Sequence, residues 1–190
     1  MISMPARGAA ISLLLAFSVA MLAGCATSPE IQAKDAVDKS ISRDATAARS
    51  YFSDTTLAKW DRQHGTQIEY LGADGSTALW YPGNPGPVTG RWEIRDKGRG
   101  GADICFRYGA NTFNPATGTS GGDWECQGVY LYTAWKFERV EGDPFRLNSG
   151  RVPFILPPRE HVILSEAADR AGIGENELRW KQGAVPLRRE

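Results

Sequence analysis

The chain has 190 residues and carries 22 basic and 22 acidic side chains, so its formal net charge at neutral pH is zero. A balanced charge gives no electrostatic footprint for nucleic acid or for anionic lipid, which excludes the strongly basic classes of binding protein. A chain of this length can bury one ordinary hydrophobic core, so we expect one folded domain, and six tryptophans supply large apolar side chains.

The N-terminal segment reads as a leader. Arg7 provides a positive charge, and the stretch from residue 11 to residue 23 is almost entirely apolar. An apolar run of about 13 residues suits a signal peptide, whereas a membrane-spanning helix needs about 20. The run ends in Leu22-Ala23-Gly24-Cys25, which resembles the lipobox of bacterial lipoproteins.

This resemblance implies removal of residues 1–24 and lipidation of Cys25, followed by a short tether over residues 25–30. Two or three acyl chains would attach the protein to a lipid bilayer permanently, since each buried CH₂ contributes about 0.8 kcal/mol. Ala26 follows the cysteine, which favours the periplasmic face of the outer membrane, with the inner membrane as the alternative. Beyond the tether we expect a helix plus antiparallel β domain over residues 31–160 and a C-terminal helical segment and tail over residues 161–190.

The cysteine count becomes informative once Cys25 is assigned to lipid. Two cysteines remain, Cys105 and Cys126, and two leftover thiols in an oxidising compartment usually pair. A disulfide closing a loop of about 20 residues would stabilise the fold by roughly 3 kcal/mol in the entropic treatment. The alternative is two separate buried thiols. His64 and His161 are isolated in sequence, so we predict neither a metal site nor a cofactor.

The first predicted element is a helix that begins near Ile31. Its apolar side chains recur at spacings of three and four and fall on one face, at Val37, Ile41, Ala45, Ala48 and Phe52. After Trp60 the pattern changes to short strands and tight turns, with an Asp74-Gly75 hairpin turn. The predicted strands are residues 67–71, 77–81, 88–95, 103–108, 124–132 and 134–140, with a polar loop over residues 110–122.

The C-terminal part is less regular. Residues 151–156 are predicted as a last strand, and Ser165 is predicted to cap a short helix that ends at Gly172. This segment looks faintly like half of a helix-turn-helix, but an exported protein meets no operator DNA, so no nucleic-acid partner is expected. The fold class is therefore α+β, mainly β: an N-terminal helix packed on an antiparallel meander sheet or partial barrel, with a short C-terminal helix.

Two sets of residues are candidates for function. An exposed row of aromatic rings would suit glycan stacking or a protein partner, although core packing is the alternative role for most of these rings. This possible binding face comprises Trp80, Tyr81, Trp92, Trp124, Tyr130 and Trp135. Glu69, Glu93 and Glu125 could meet across neighbouring strands as an acid/base pair, but polar alternation on a half-exposed sheet explains them more simply. No catalytic residue is assigned.

The middle of the chain also resembles a family of small exported proteobacterial proteins of unknown function. The resemblance covers about residues 45–130 and lies in a helix, a Thr-Leu step, a Tyr…Asp-Gly hairpin, a Gly-x-Trp strand and two cysteines. In this chain these are Thr56-Leu57, Tyr70 to Gly75, Gly90-Arg91-Trp92, Cys105 and Cys126. The shared motifs are structural, and the resemblance implies no catalytic residue.

The sequence thus predicts a membrane-anchored periplasmic lipoprotein that acts without catalysis, in envelope structure or in binding an envelope protein, a glycan or a small ligand. The alternative is a cell-wall-directed hydrolase built from carboxylates that only the folded chain brings together.

Overall fold

The computed structural model describes residues 29–114, 118–134 and 137–181. The leader with its lipobox and Cys25, most of the tether, Trp135 and the tail from residue 182 lie outside these ranges. None of the helices in the described ranges has both the length and the apolar character needed to cross a bilayer.

The domain is built on a curled antiparallel sheet of seven strands that forms a half-barrel, so the prediction of an α+β, mainly β fold is confirmed. The strand order is β8-β5-β4-β3-β2-β1-β9, and β6 and β7 form a separate two-stranded ribbon. The strands are β1 Thr55–Asp61, β2 Gly65–Leu71, β3 Ser76–Trp80, β4 Val88–Asp96, β5 Ala102–Tyr108, β6 Phe113–Asn114, β7 Thr119–Ser120, β8 Glu125–Gly128 and β9 Phe137–Glu141.

Four α-helices of the described ranges accompany the sheet, and the predicted N-terminal helix is in fact two. They are α1 Pro29–Ile41, α2 Ala45–Phe52, α3 Val129–Ala134 and α4 Leu164–Arg170. Asp44 causes the break, because its carboxylate accepts hydrogen bonds from the N–H groups of Thr46 and Ala47 at 2.8 and 3.0 Å and so begins a new helix.

Each face of the sheet packs against its own hydrophobic core. The outer face is defined by Ala58, Ile68, Ala78, Trp80 and Val140, and the C-terminal segments with α4 cover it. The inner face carries Leu57, Leu71, Trp92, Ile104 and Phe106 at alternate positions, and α1, α2 and α3 cover one end of it. The helices in the described part of the chain leave the other end of the inner face uncovered.

The central hairpins agree with the sequence prediction, whereas β1 was missed. Gly75 has φ of 81°, the left-handed conformation that the Asp74-Gly75 turn requires, and β2 pairs with β3 as expected. β1 follows α2 after two residues, so the strand pattern began earlier than Gln67. In the sheet β1 lies between β2 and β9.

Two predictions in the second half were wrong, and one predicted strand forms but has a distant partner. The strand predicted over residues 124–132 ends at Gly128, and α3 follows because Val129, Tyr132 and Thr133 recur at helical spacing and are buried. The segment predicted as a continuing strand does form a strand, β9, and this strand pairs with β1 at the far edge of the sheet. Residues 151–156 form no strand.

The start of α4 also differs from the prediction. Ser165 is the second residue of the helix and not its cap. The buried carboxylate of Glu138 on β9 accepts a hydrogen bond from the N–H of Leu164 at 2.6 Å instead. A side chain remote in sequence therefore satisfies this helix end, which local sequence signals cannot reveal. Gly172, with φ of 71°, follows the helix as predicted.

Candidate functional site

A cavity of about 740 Å³ occupies the uncovered end of the inner face. Six strands of the half-barrel contribute to its walls, and the loop at residues 82–84 and the start of the β6–β7 ribbon form its rim. We call it the inner-face cavity; its lining side chains include Lys59, Gln67, Glu69, Leu79, Tyr81, Val88, Phe106, Tyr108, Phe113, Glu125, Gln127 and Tyr132.

Glu69 is a buried carboxyl group in the wall of this cavity, with only 5% of its surface exposed. Its Oε1 accepts hydrogen bonds from the hydroxyls of Thr77 at 2.6 Å and of Tyr108 at 2.5 Å. Burial raises the pKa of Glu69, and the two hydroxyl donors and the nearby Lys59 charge offset part of that rise. The group is thus held in a fixed position by two donors at the same oxygen.

Tyr108 reaches Glu69 because of the residue opposite it in the sheet. Gly90 of β4 pairs with Tyr108 of β5, and a Cβ at Gly90 would lie 2.9 Å from the Tyr108 ring carbon Cδ1 and 2.5 Å from the carbonyl oxygen of Arg107. Only glycine leaves room for this close approach. Burial and the neighbouring Glu69 raise the pKa of Tyr108 well above its usual value, so its hydroxyl stays protonated as a donor.

Lys59 places a positive charge beside Glu69. It pairs directly with Gln67 across β1 and β2, and its ammonium lies 5.6 Å from the ring centroid of Tyr132. Lys59 takes part in none of the salt bridges formed among the described residues. The Lys59 ammonium therefore lies at the cavity wall, near the Tyr132 ring and close enough to Glu69 to act on its charge, but in no salt bridge of the described residues.

The rim combines aromatic rings with polar groups. The hydroxyl of Tyr81 lies 2.9 Å from Nδ1 of His64, and Asp61 accepts hydrogen bonds from the N–H groups of Gln63 and His64 at the β1–β2 turn. Phe113, at the start of the β6–β7 ribbon, is 64% exposed although its side chain is apolar. An exposed ring at the mouth of a cavity is available to contact whatever enters.

The structure separates the three candidate carboxylates. Glu69 and Glu125 both line the inner-face cavity. Glu93 pairs with Cys105 on the outer side of β4, and its carboxylate forms an ion pair with Arg95 at 2.6 Å. Only two of the three can therefore act in one site.

The six aromatic residues of the predicted binding face do not share a surface. Trp80 and Trp92 are buried in the outer and the inner core, which is the alternative role considered for them. Trp124 lies on the outer side between the guanidinium groups of Arg95 and Arg107, at 5.3 and 4.9 Å. Tyr130 is exposed on α3, and Trp135 lies outside the described residues. Of the five that are described, Tyr81 alone lines the inner-face cavity.

The predicted disulfide is confirmed. Cys105 and Cys126 are directly opposite residues of β5 and β8, with their Cα atoms 4.0 Å apart. The bond fastens the edge strand β8, whose Glu125 and Gln127 line the cavity, to the body of the sheet.

Sequence reasoning missed most of the cavity wall. Lys59 on β1 and Gln67 on β2 point into the cavity because of the way these two strands pair. The sequence did not predict β1, so it could not predict this pairing. Tyr108 and Tyr132 are both predicted to lie on strands, but the sequence does not indicate which face of the sheet each side chain occupies. Tyr132 in fact reaches the cavity from helix α3. The Gly90–Tyr108 pair is the one local signal, since a glycine within a strand marks a close approach.

No protein-family model, curated protein or solved structure matches this chain in the comparisons made with known proteins.

Proposed function

We propose that this protein is a lipid-anchored binding protein of the bacterial cell envelope, and that the inner-face cavity takes a small ligand. The observation that carries the proposal is the cavity itself, because its volume of about 740 Å³ falls within the range of roughly 300–1,000 Å³ that is typical of small-molecule sites. Its walls mix aromatic rings with a few fixed polar groups, which is the usual composition of such sites.

The rigidity of the walls supports the same proposal. The cavity is built on paired strands, Glu69 is held by two hydroxyl donors, and the disulfide secures the strand at the edge. A site whose groups are already in position loses little conformational entropy when a ligand binds.

The proposed lipid anchor and the proposed cellular location both rest on the resemblance of residues Leu22 to Cys25 to a lipobox. Cys25 lies four residues before the first residue of α1, so a lipid on that cysteine would hold the domain within roughly 14 Å of the membrane surface. We place the protein at the periplasmic face of the outer membrane, with the inner membrane as the alternative.

The proposal is tested by filling the cavity. Val88 lines the cavity wall beside Leu79, its register partner on β3, and Val88→Trp would occupy part of the space. The matched control is Ile155→Trp, since Ile155 is exposed and is not among the residues lining the cavity. The full chain is purified from membranes and denatured, and the small molecules that it releases are identified by mass spectrometry.

We expect the unaltered protein and the Ile155→Trp variant to release the same compound, and the Val88→Trp variant to release at least tenfold less. Equal release from all three proteins would contradict the proposal. The proposal would also be contradicted if the protein released no compound and if a small-molecule extract of the envelope did not raise its melting temperature.

A cell-wall-directed hydrolase is the second candidate, and the shared location of Glu69 and Glu125 favours it. Burial raises the pKa of Glu69, as a general acid requires, and Glu125 lines the same cavity. Release of reducing ends from purified peptidoglycan by the unaltered protein, abolished in Glu125→Gln, would establish this candidate in place of simple binding.

A further inference from the structure

The wall of the inner-face cavity contains a small recess. Leu57, Lys59, Gln67, Glu69 and Tyr132 enclose a space of about 10 Å³, and all but Leu57 also line the larger cavity. The surface of the recess is almost entirely carbon, so it adds apolar contact at the base of the cavity.

Lys59, Gln67 and Glu69 instead present donors and acceptors to the larger cavity, whose wall they share. The Lys59 ammonium donates, and the Gln67 amide donates to Oδ2 of Asp61 at 3.4 Å and has its carbonyl oxygen as an acceptor. Glu69 uses Oε1 for Thr77 and Tyr108, and no hydrogen bond within the described part of the chain ends on its Oε2. A hydroxyl group can satisfy both kinds of neighbour because it donates one hydrogen bond and accepts two.

The remaining ligand classes fit this lining less well. An apolar ligand would displace water from the Lys59 ammonium and from Oε2 of Glu69 without replacing its hydrogen bonds, which is costly. An organic anion would meet the carboxyl groups of Asp61 and Glu125 elsewhere in the wall. An organic cation would meet the Lys59 ammonium, which already lies over the Tyr132 ring.

The aromatic lining completes the pattern. Rings of Tyr81, Phe106, Tyr108, Phe113 and Tyr132 contribute to the wall or the rim. Phe106 and Tyr108 lie parallel, with an interplanar angle of 3° and centroids 6.2 Å apart. Aromatic rings contact the apolar C–H faces of a ring-shaped ligand while its edge remains free to form hydrogen bonds.

We infer that the ligand of the inner-face cavity is a neutral polyhydroxylated compound, a carbohydrate, with one hydroxyl seated between Lys59, Gln67 and Glu69. This inference rests on the proposed function and specifies its ligand class. The cavity volume admits more than one sugar ring, and the seated hydroxyl fixes the orientation of the ring that carries it.

The test begins with the full chain in a detergent that has no sugar headgroup. It is applied to an array of neutral and charged saccharides, and by calorimetry to benzoate, choline and laurate as an anion, a cation and a lipid. The best saccharide is then titrated into Lys59→Met, Glu69→Gln and Glu93→Gln. The last is the matched control, because it makes the same change on the other side of the sheet.

We expect a neutral saccharide to bind best and its affinity to fall about tenfold or more in Lys59→Met and in Glu69→Gln, since each loses a hydrogen-bond partner in the cavity wall. Glu93→Gln should bind like the unaltered protein. Deoxy analogues, each lacking a single hydroxyl, identify the hydroxyl that contacts Glu69. The analogue that lacks this hydroxyl should bind more weakly than the parent saccharide, and it should bind equally weakly to the unaltered protein and to Glu69→Gln. Melting curves verify that each variant folds. If Glu69→Gln does not fold, the affinity of Lys59→Met alone decides the test.

The possible failures are distinguishable. If benzoate, choline or laurate binds better than any saccharide and Val88→Trp blocks it, the carbohydrate inference is overturned while the proposed binding function stands. If a saccharide binds equally well to Lys59→Met and to Val88→Trp, its site lies elsewhere and the inference is overturned. If no probe binds and no compound is released from the purified protein, the proposed function fails as well.

Discussion

Glu69 is a carboxyl group that the fold keeps away from water and supplies with two hydroxyl donors. Burial dominates, so its pKa in the folded protein lies above the ordinary value of about 4.3 for an exposed glutamate. A raised folded-state pKa stabilises the fold fully at pH values below the unfolded pKa. That stabilisation is lost as the pH rises through the folded-state pKa, because the folded protein must then bury an ionised group.

The loss of stability with rising pH can be tested with Glu69→Gln, which keeps the shape of the side chain but cannot ionise. The free energy of unfolding of the unaltered protein, minus that of the variant, should fall as the pH rises from about 4 to 8. Each unit by which the folded-state pKa exceeds the unfolded value contributes about 1.4 kcal/mol to this change. Urea denaturation at each pH measures it. A difference independent of pH would show that Glu69 ionises in the folded protein as readily as in water.

At the scale of elements, β8 depends on its neighbour β5 for attachment. It is a four-residue edge strand, and the Cys105–Cys126 bond joins it to the sheet immediately before α3 begins. Helix α3 in turn covers part of the inner core through Val129 and Tyr132. A buried Lys34 of α1 binds both Asp38 and the carbonyl of Thr133, which fixes α3 against α1.

We therefore predict that Cys105→Ala/Cys126→Ala lowers the free energy of unfolding by roughly 3 kcal/mol, as a 21-residue separation implies in the entropic treatment. Amide hydrogen exchange should accelerate most over residues 125–134. Reduction of the unaltered protein should give the same loss of stability. Uniform exchange rates, or an unchanged unfolding curve after reduction, would contradict this role for the bond.

The elements differ in how far the sequence could predict them. Strands flanked by tight turns, such as β2 and β3 around Asp74-Gly75, follow from local chemistry and were predicted. Helix α3 and the start of α4 depend on partners far away in sequence, Lys34 and Glu138. The cavity wall was missed for the same reason, because Lys59, Gln67 and Glu69 meet only through the register of β1 against β2.

At the scale of the whole molecule, one sheet separates two cores that are covered to different extents. The C-terminal segments cover the outer core, whereas the helices that the structure describes cover only one end of the inner face. The open end is the inner-face cavity, so the partial covering of the half-barrel produces the candidate site.

The proposed lipid anchor at Cys25 concerns the whole molecule, because it would determine where the protein is held in the cell. Radiolabelled palmitate should be incorporated into the unaltered protein in cells and should be lost in Cys25→Ala, with the uncut precursor accumulating. Cys126→Ala provides the matched cysteine control and should keep the label. A processed but unlabelled product from the unaltered protein would show that the leader is cut without lipidation.

The most direct test of the account is a crystal structure of the protein with the saccharide that binds best on the array. We predict that the sugar lies in the inner-face cavity with one hydroxyl within hydrogen-bond distance of both Lys59 and Glu69. A sugar bound on the outer side of the sheet or on α3, with the inner-face cavity occupied by water alone, would contradict the central claim.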